Sequence, residues 1–67
     1  MNKKIKQLRK EKGLSIKEVA NAIGVSLSAY SNYEQGIREP SYEILKKICI
    51  YFGVSADYLL GLKDYDL

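Results

Sequence analysis

The sequence predicts an all-α fold, a compact bundle of five short helices, and three observations carry that expectation. Glycines at 13, 24, 36, 53 and 61 each follow a segment with helical apolar periodicity, where a C′ glycine belongs. Three of them open the same pattern: Gly13-Leu14-Ser15, Gly24-Val25-Ser26 and Gly53-Val54-Ser55. In each, the serine is placed to cap the next helix and the apolar residue before it to staple the entry; Val19, Tyr30 and Leu59 are the staple partners. The connections are too short for a sheet. Expected helices are 3–12, 16–23, 27–35, 42–52 and 56–60, within one domain spanning 1–62. The remaining residues, 63–67, show no helical pattern and are expected to fray.

Along the chain, the first helix puts Ile5, Leu8 and the stem of Lys12 on one face and Lys3, Lys6 and Lys10 on the other. The second opens with Ser15 and Glu18, the spacing of a capping box, and is apolar at Ile16, Val19, Ala20 and Ile23, an i, i+3, i+4, i+7 set. Ala20 is small where two helices would cross closely. Gly24 can take the left-handed conformation that re-aims the chain, with Val25 buried behind it and Ser26 capping the third helix. Two short helices joined this way at a steep angle form a helix-turn-helix. Pro40-Ser41 starts the fourth helix, which is expected to bury Ile44, Leu45, Ile48, Cys49 and Phe52 and to leave Ile50 outside that face. The fifth offers Tyr58, Leu59 and Leu60.

Sixty-seven residues make one domain near the lower limit of what folds without staples. One cysteine and no histidine leave no disulfide framework and no zinc-ligand spacing, so no metal is expected. Cys49 reads as a buried, inert thiol, since nothing basic accompanies it at helical spacing. The longest apolar run, Ile48 to Phe52, is far too short for a bilayer, and the basic start lacks a signal peptide's apolar region. A soluble cytoplasmic protein with no membrane partner is expected. No phosphate loop, Ser-His or Cys-His set or carboxylate pairing is present, which argues against an enzyme, a cofactor and a small-molecule substrate. Charge is uneven. Residues 1–17 carry seven Lys or Arg and one Glu, net +6, whereas 18–67 carry four Lys or Arg and seven Asp or Glu, net −3. A basic end suits a polyanionic partner, although it is also an ordinary solvated surface.

At about 100° per residue, the third helix places Ala29, Tyr30 and Tyr33 on one side and Leu27, Ser28, Ser31, Asn32 and Gln35 on the other. The outer side is small, polar and uncharged, where a solvent-facing helix normally carries Lys and Glu. Short hydroxyls and amides suit close approach to base edges: Asn pairs bidentately with adenine, Ser donates or accepts, and Leu touches a thymine methyl. They also suit a plain polar surface, and this helix alone does not separate the two readings.

From Ile5 to Gly61 the chain resembles the lambda repressor/Cro-like (XRE-type) helix-turn-helix family. The match runs through Ile5, Leu8-Arg9, Lys12-Gly13-Leu14-Ser15, Glu18-Val19-Ala20 and Ile23-Gly24-Val25-Ser26. It continues in Tyr30-Ser31, Tyr33-Glu34, Gly36, Arg38, Pro40-Ser41, Leu45, Phe52-Gly53-Val54-Ser55 and Asp57-Tyr58-Leu59-Leu60-Gly61. The resemblance implies a lambda-repressor-like domain whose partner is double-stranded operator DNA, bound by a homodimer with the third helix in the major groove. It assigns base reading to Leu27, Ser28 and Asn32, with Ser31 nearby, the residues that helical phase exposes. It pairs Arg9 with Glu34 in a salt bridge between the first and third helices, and Arg9 could also lean toward a phosphate. Phosphate contacts are expected at the starts of the second and fourth helices, from Ser15, Lys17, Arg38 and Ser41. Lys3, Lys6 and Lys10 read as a solvated stripe. Dimerisation is expected around Ala56 and Tyr58. Two departures stand out. Ile16 occupies a position where the family often has a phosphate-contacting Gln, and Tyr30 replaces a smaller aliphatic and is expected to sit half-buried. The resulting expectation is a sequence-specific transcriptional regulator, a repressor acting by covering a promoter. The alternative is a protein-interaction module of the same fold, antitoxin-like or antirepressor, with DNA binding secondary.

Overall fold

The computed structural model describes residues 1–62 and folds them into α1 (Asn2–Glu11), α2 (Ile16–Ile23), α3 (Leu27–Gln35), α4 (Tyr42–Phe52) and α5 (Ala56–Leu59). The expectation for 63–67 lies outside the described residues. Four of the five helices begin on a serine whose Oγ accepts the N3 amide: Ser15 from Glu18 at 3.0 Å, Ser26 from Ala29 at 3.0 Å, Ser41 from Ile44 at 3.2 Å and Ser55 from Tyr58 at 3.1 Å. The Ser15 amide in turn donates to Glu18 Oε1 at 3.0 Å, which closes the capping box. Each such cap contributes about 1 kcal/mol, a useful share for so short a chain. α1 is different, because Met1 stands at its start and offers no side-chain acceptor. It runs one residue earlier than the periodicity implies, with Lys12 as its C-cap, and α5 ends one residue early, at Leu59.

Gly24 and Gly36 both sit at φ 76°, and this left-handed geometry turns the chain out of α2 and out of α3. After α2, the Val25 amide reaches back to the Ala20 carbonyl at 3.0 Å. That bond fixes how α3 departs from α2. At Gly36 the absence of a side chain has a second effect: a Cβ there would lie 3.1 Å from Asn2 Nδ2.

The core is Ile5, Val19, Ala20, Ile23, Tyr30, Tyr33, Ile48, Phe52 and Leu59, drawn from all five helices. α3 packs on α2 and α1, while α4 packs on α2 and carries α5. Several expectations of depth change. Tyr30 is completely enclosed rather than half-buried, with its ring edge-on to Tyr33 at 6.4 Å and 88°. Its ring is one of the largest fully buried side chains of the core. Cys49 is half-buried, as are Ile44, Leu45 and Val25, and Lys12 and Leu60 are exposed. The apolar arc of α4 is wider than the surface its neighbours cover, so one flank stays open. Ile50 is 79% exposed. Among the described residues no helix is long and apolar enough to cross a membrane.

Candidate nucleic-acid interface

α3 turns Tyr30, Tyr33 and Glu34 into the protein and leaves a small polar strip outside. Leu27 and Ser28 at its start are exposed, and Ser31 and Asn32 further along are half-buried. Gln35 Nε2 donates to Ser31 Oγ at 2.9 Å, which leaves the serine hydroxyl hydrogen to be given elsewhere. The Asn32 carbonyl accepts from the amides of Ile37 at 3.1 Å and Arg38 at 3.3 Å, tying the next loop to the helix. Its carboxamide makes no hydrogen bond among the described residues. The side chain that suits bidentate pairing with a base is thus uncommitted, on a helix whose end is pinned.

The angle of α3 is set by a buried ion pair. Arg9 Nε donates to Glu34 Oε2 at 2.6 Å and a second guanidinium nitrogen to Oε1 at 3.1 Å, a fork-on-fork arrangement. A third donor of Arg9 reaches the Leu14 carbonyl at 2.9 Å, so α1, the turn after it and α3 meet at one guanidinium. The hydrogen bonds to Glu34 hold Arg9 above its already high pKa. Committed in this way, Arg9 has a structural task at this face. Beside the pair, Tyr30 Oη is buried with no partner in hydrogen-bonding geometry. Burial first, and then the Glu34 carboxylate, push its ionisation far above the ordinary tyrosine range.

The residues expected at phosphates are all exposed: Ser15 and Lys17 at the start of α2, Arg38 in the loop after α3, and Ser41 capping α4. Ser15 and Ser41 spend a lone pair on their caps and keep the hydroxyl hydrogen. Ile16 is half-buried and packs on the core, so the helix start presents backbone N–H groups there rather than a side-chain amide. Lys3, Lys6 and Lys10 are exposed. Ala56 and Tyr58, expected at a dimer contact, are both half-buried. Lys4 Nζ lies 4.5 Å from the Tyr58 ring centroid, so α1 occupies a face of that ring. Ala56 instead lines an open groove of about 300 Å³ with Tyr42, Leu45, Cys49, Ile50 and Val54. Sequence reading missed Asn2, whose Nδ2 donates to the Glu34 carbonyl at 3.4 Å and braces the end of α3. Only tertiary packing against Gly36 reveals it.

With this geometry in place, residues 5–59 match the family model described as helix-turn-helix. The chain belongs to the XRE/lambda repressor-like helix-turn-helix family. Among members of this helix-turn-helix family it is similar to the HTH-type transcriptional regulator SinR of Bacillus licheniformis, 40% identical over 65 residues covering 96% of this chain and 59% of that protein. It is also similar to the HTH-type transcriptional regulator AnsR of Bacillus subtilis, 38% identical over 58 residues covering 87% of this chain and 50% of the relative. Its structure is similar to the N-terminal DNA binding domain of SinR from Bacillus subtilis, with a TM-score of 0.80, 40% identity, and 88% and 87% of the two chains covered. The chain spans about half the length of the curated relatives it matches.

Proposed function

We propose that this chain is a sequence-specific DNA-binding transcriptional regulator, a repressor that inserts α3 into the major groove of a two-fold symmetric operator. The observation that carries the reading is the outer polar strip of α3, exposed at Leu27 and Ser28 and half-buried at Ser31 and Asn32, on a helix held by the Arg9–Glu34 fork. Leu27, Ser28, Ser31 and Asn32 read base edges, while Ser15, Lys17, Arg38 and Ser41 meet phosphates on the bordering strands. The likeness to a DNA binding domain of a named transcriptional regulator supports the same assignment.

A homodimer fits the domain's small size and its open flank. The exposed Ile50 beside the α4–α5 groove offers an apolar surface that a second subunit covers, placing two copies of α3 on half-sites about one DNA turn apart. Selection from random-sequence duplexes followed by footprinting tests the proposal. Recovery of a palindromic site protected on one face supports it. Failure to enrich any sequence, with binding absent or insensitive to salt, would overturn it and favour a protein-interaction module.

A further inference from the structure

At the C-terminal end of α3 a small cleft of about 90 Å³ is lined by Met1, Asn2, Tyr33, Gly36, Arg38 and Glu39. Two of its donor side chains, Tyr33 and Arg38, have no hydrogen-bond partner among the described residues. Tyr33 is all but 8% buried, with its ring held edge-on by Tyr30, yet its hydroxyl makes no hydrogen bond among the described residues. Unlike Tyr30 Oη, that hydroxyl is not sealed inside, and the cleft is the opening that Tyr33 lines. The Arg38 guanidinium forms no ion pair or hydrogen bond among the described residues. Asn2 gives one N–H to the Glu34 carbonyl and keeps the other. α1 starts beside the cleft at Asn2, without a side-chain cap and with no acidic residue in its first turn. The lone carboxylate of the lining, Glu39, is on an exposed residue. Gly36 makes room for this arrangement, since a Cβ there would press on the Asn2 carboxamide.

We infer that this cleft is an oxyanion site that clamps one phosphodiester of the bound duplex, with the Tyr33 hydroxyl and Arg38 as its principal donors and Asn2 completing it. The inference rests on the DNA-binding reading and adds to it a specific second anchor. Spacing supports the placement. The nine residues of α3 span about 13 Å at 1.5 Å each, close to the roughly 12 Å width of the major groove. When the first turn of α3 meets the bases, its last turn therefore arrives at the bordering strand. A hydroxyl opening into the cleft there gives a contact that is directional rather than merely electrostatic, and it fixes how far α3 enters the groove.

Tyr33→Phe is the informative variant, because it removes the hydroxyl and keeps the ring against Tyr30. On a selected duplex, fluorescence anisotropy should show an affinity loss of about 10-fold, the scale of one hydrogen bond to a charged group. The slope of affinity with salt and the ranking of sequences should not change. A methylphosphonate scan should find one phosphate per half-site whose neutralisation weakens the wild type and leaves Tyr33→Phe indifferent. A Tyr33→Phe protein that binds like the wild type, or that remains sensitive at every phosphate, overturns the assignment. A titration with inorganic phosphate followed by amide NMR separates the cleft from the DNA reading. Saturable shifts at Gly36 and Arg38 that are lost in both Tyr33→Phe and Arg38→Ala support the cleft even without duplex binding. No response in the wild type overturns it even if duplex binding is strong.

Discussion

Glu34→Ala is the perturbation that most directly probes how the recognition helix is held. It removes both acceptors of a fork whose bonds measure 2.6 and 3.1 Å, between side chains only 12% and 4% exposed. Breaking a fully buried pair by deleting one partner costs about 3–5 kcal/mol, because the surviving charge is left without compensation. Two features soften that here. Arg9 keeps its 2.9 Å bond to the Leu14 carbonyl, and its remaining exposed edge lets water reach the guanidinium. The expected loss is therefore about 2–4 kcal/mol, a large part of the total stability of a domain this small. Urea unfolding followed by circular dichroism measures it, with an unchanged m-value showing that the same surface is exposed on unfolding. Arg9→Met combined with Glu34→Leu should lose less than Glu34→Ala alone, since neither charge is then stranded. A single-variant loss below about half a kcal/mol would rule out a tightly held buried bridge, because exposed pairs contribute only that much.

Three further outcomes are expected. Asn32→Ala should weaken binding to a selected site by about 1–3 kcal/mol and flatten the preference at one base pair, as read by competition with single-base variants. Arg38→Ala should lower the salt slope by about one while leaving sequence ranking intact, which anisotropy at several salt concentrations tests. Tyr30→Phe deletes a buried hydroxyl that has no partner in bonding geometry, so stability should hold or rise, by up to about 1–3 kcal/mol. In the wild type the folded state keeps Tyr30 protonated above its ordinary value of 10.0, so this residue's contribution is full below that pH and is lost as pH rises beyond it. The variant should lack that part of the alkaline loss in urea midpoints taken across this range. A destabilised Tyr30→Phe would show that the hydroxyl is bonded after all.

The helix ends were legible because each is written in local chemistry. Ser15, Ser26, Ser41 and Ser55 cap, and Gly24, Gly36 and Gly53 stop, with the positive φ that only glycine takes cheaply. Helical phase likewise separates Leu27 and Ser28 from Tyr30 and Tyr33, since direction around a helix follows from spacing. Depth does not. Tyr30 looks too large for its place until the packed core shows it fully enclosed, and Cys49 looks buried until the limited cover beside α4 is seen. The hold of Asn2 on the end of α3 spans 32 residues of sequence and carries no local signature. Tyr58 shows the same limit: its spacing says apolar face, but only packing shows that Lys4 has taken one side of the ring.

The central claim is that the outer strip of α3 is the surface that meets DNA. Amide chemical-shift mapping of the labelled protein on a selected duplex tests it residue by residue. The largest changes should fall on Leu27, Ser28, Ser31 and Asn32, with a second set at Ser15, Lys17, Arg38 and Ser41. Changes concentrated on Tyr42, Ile50 and Ala56, with α3 unmoved, would contradict it.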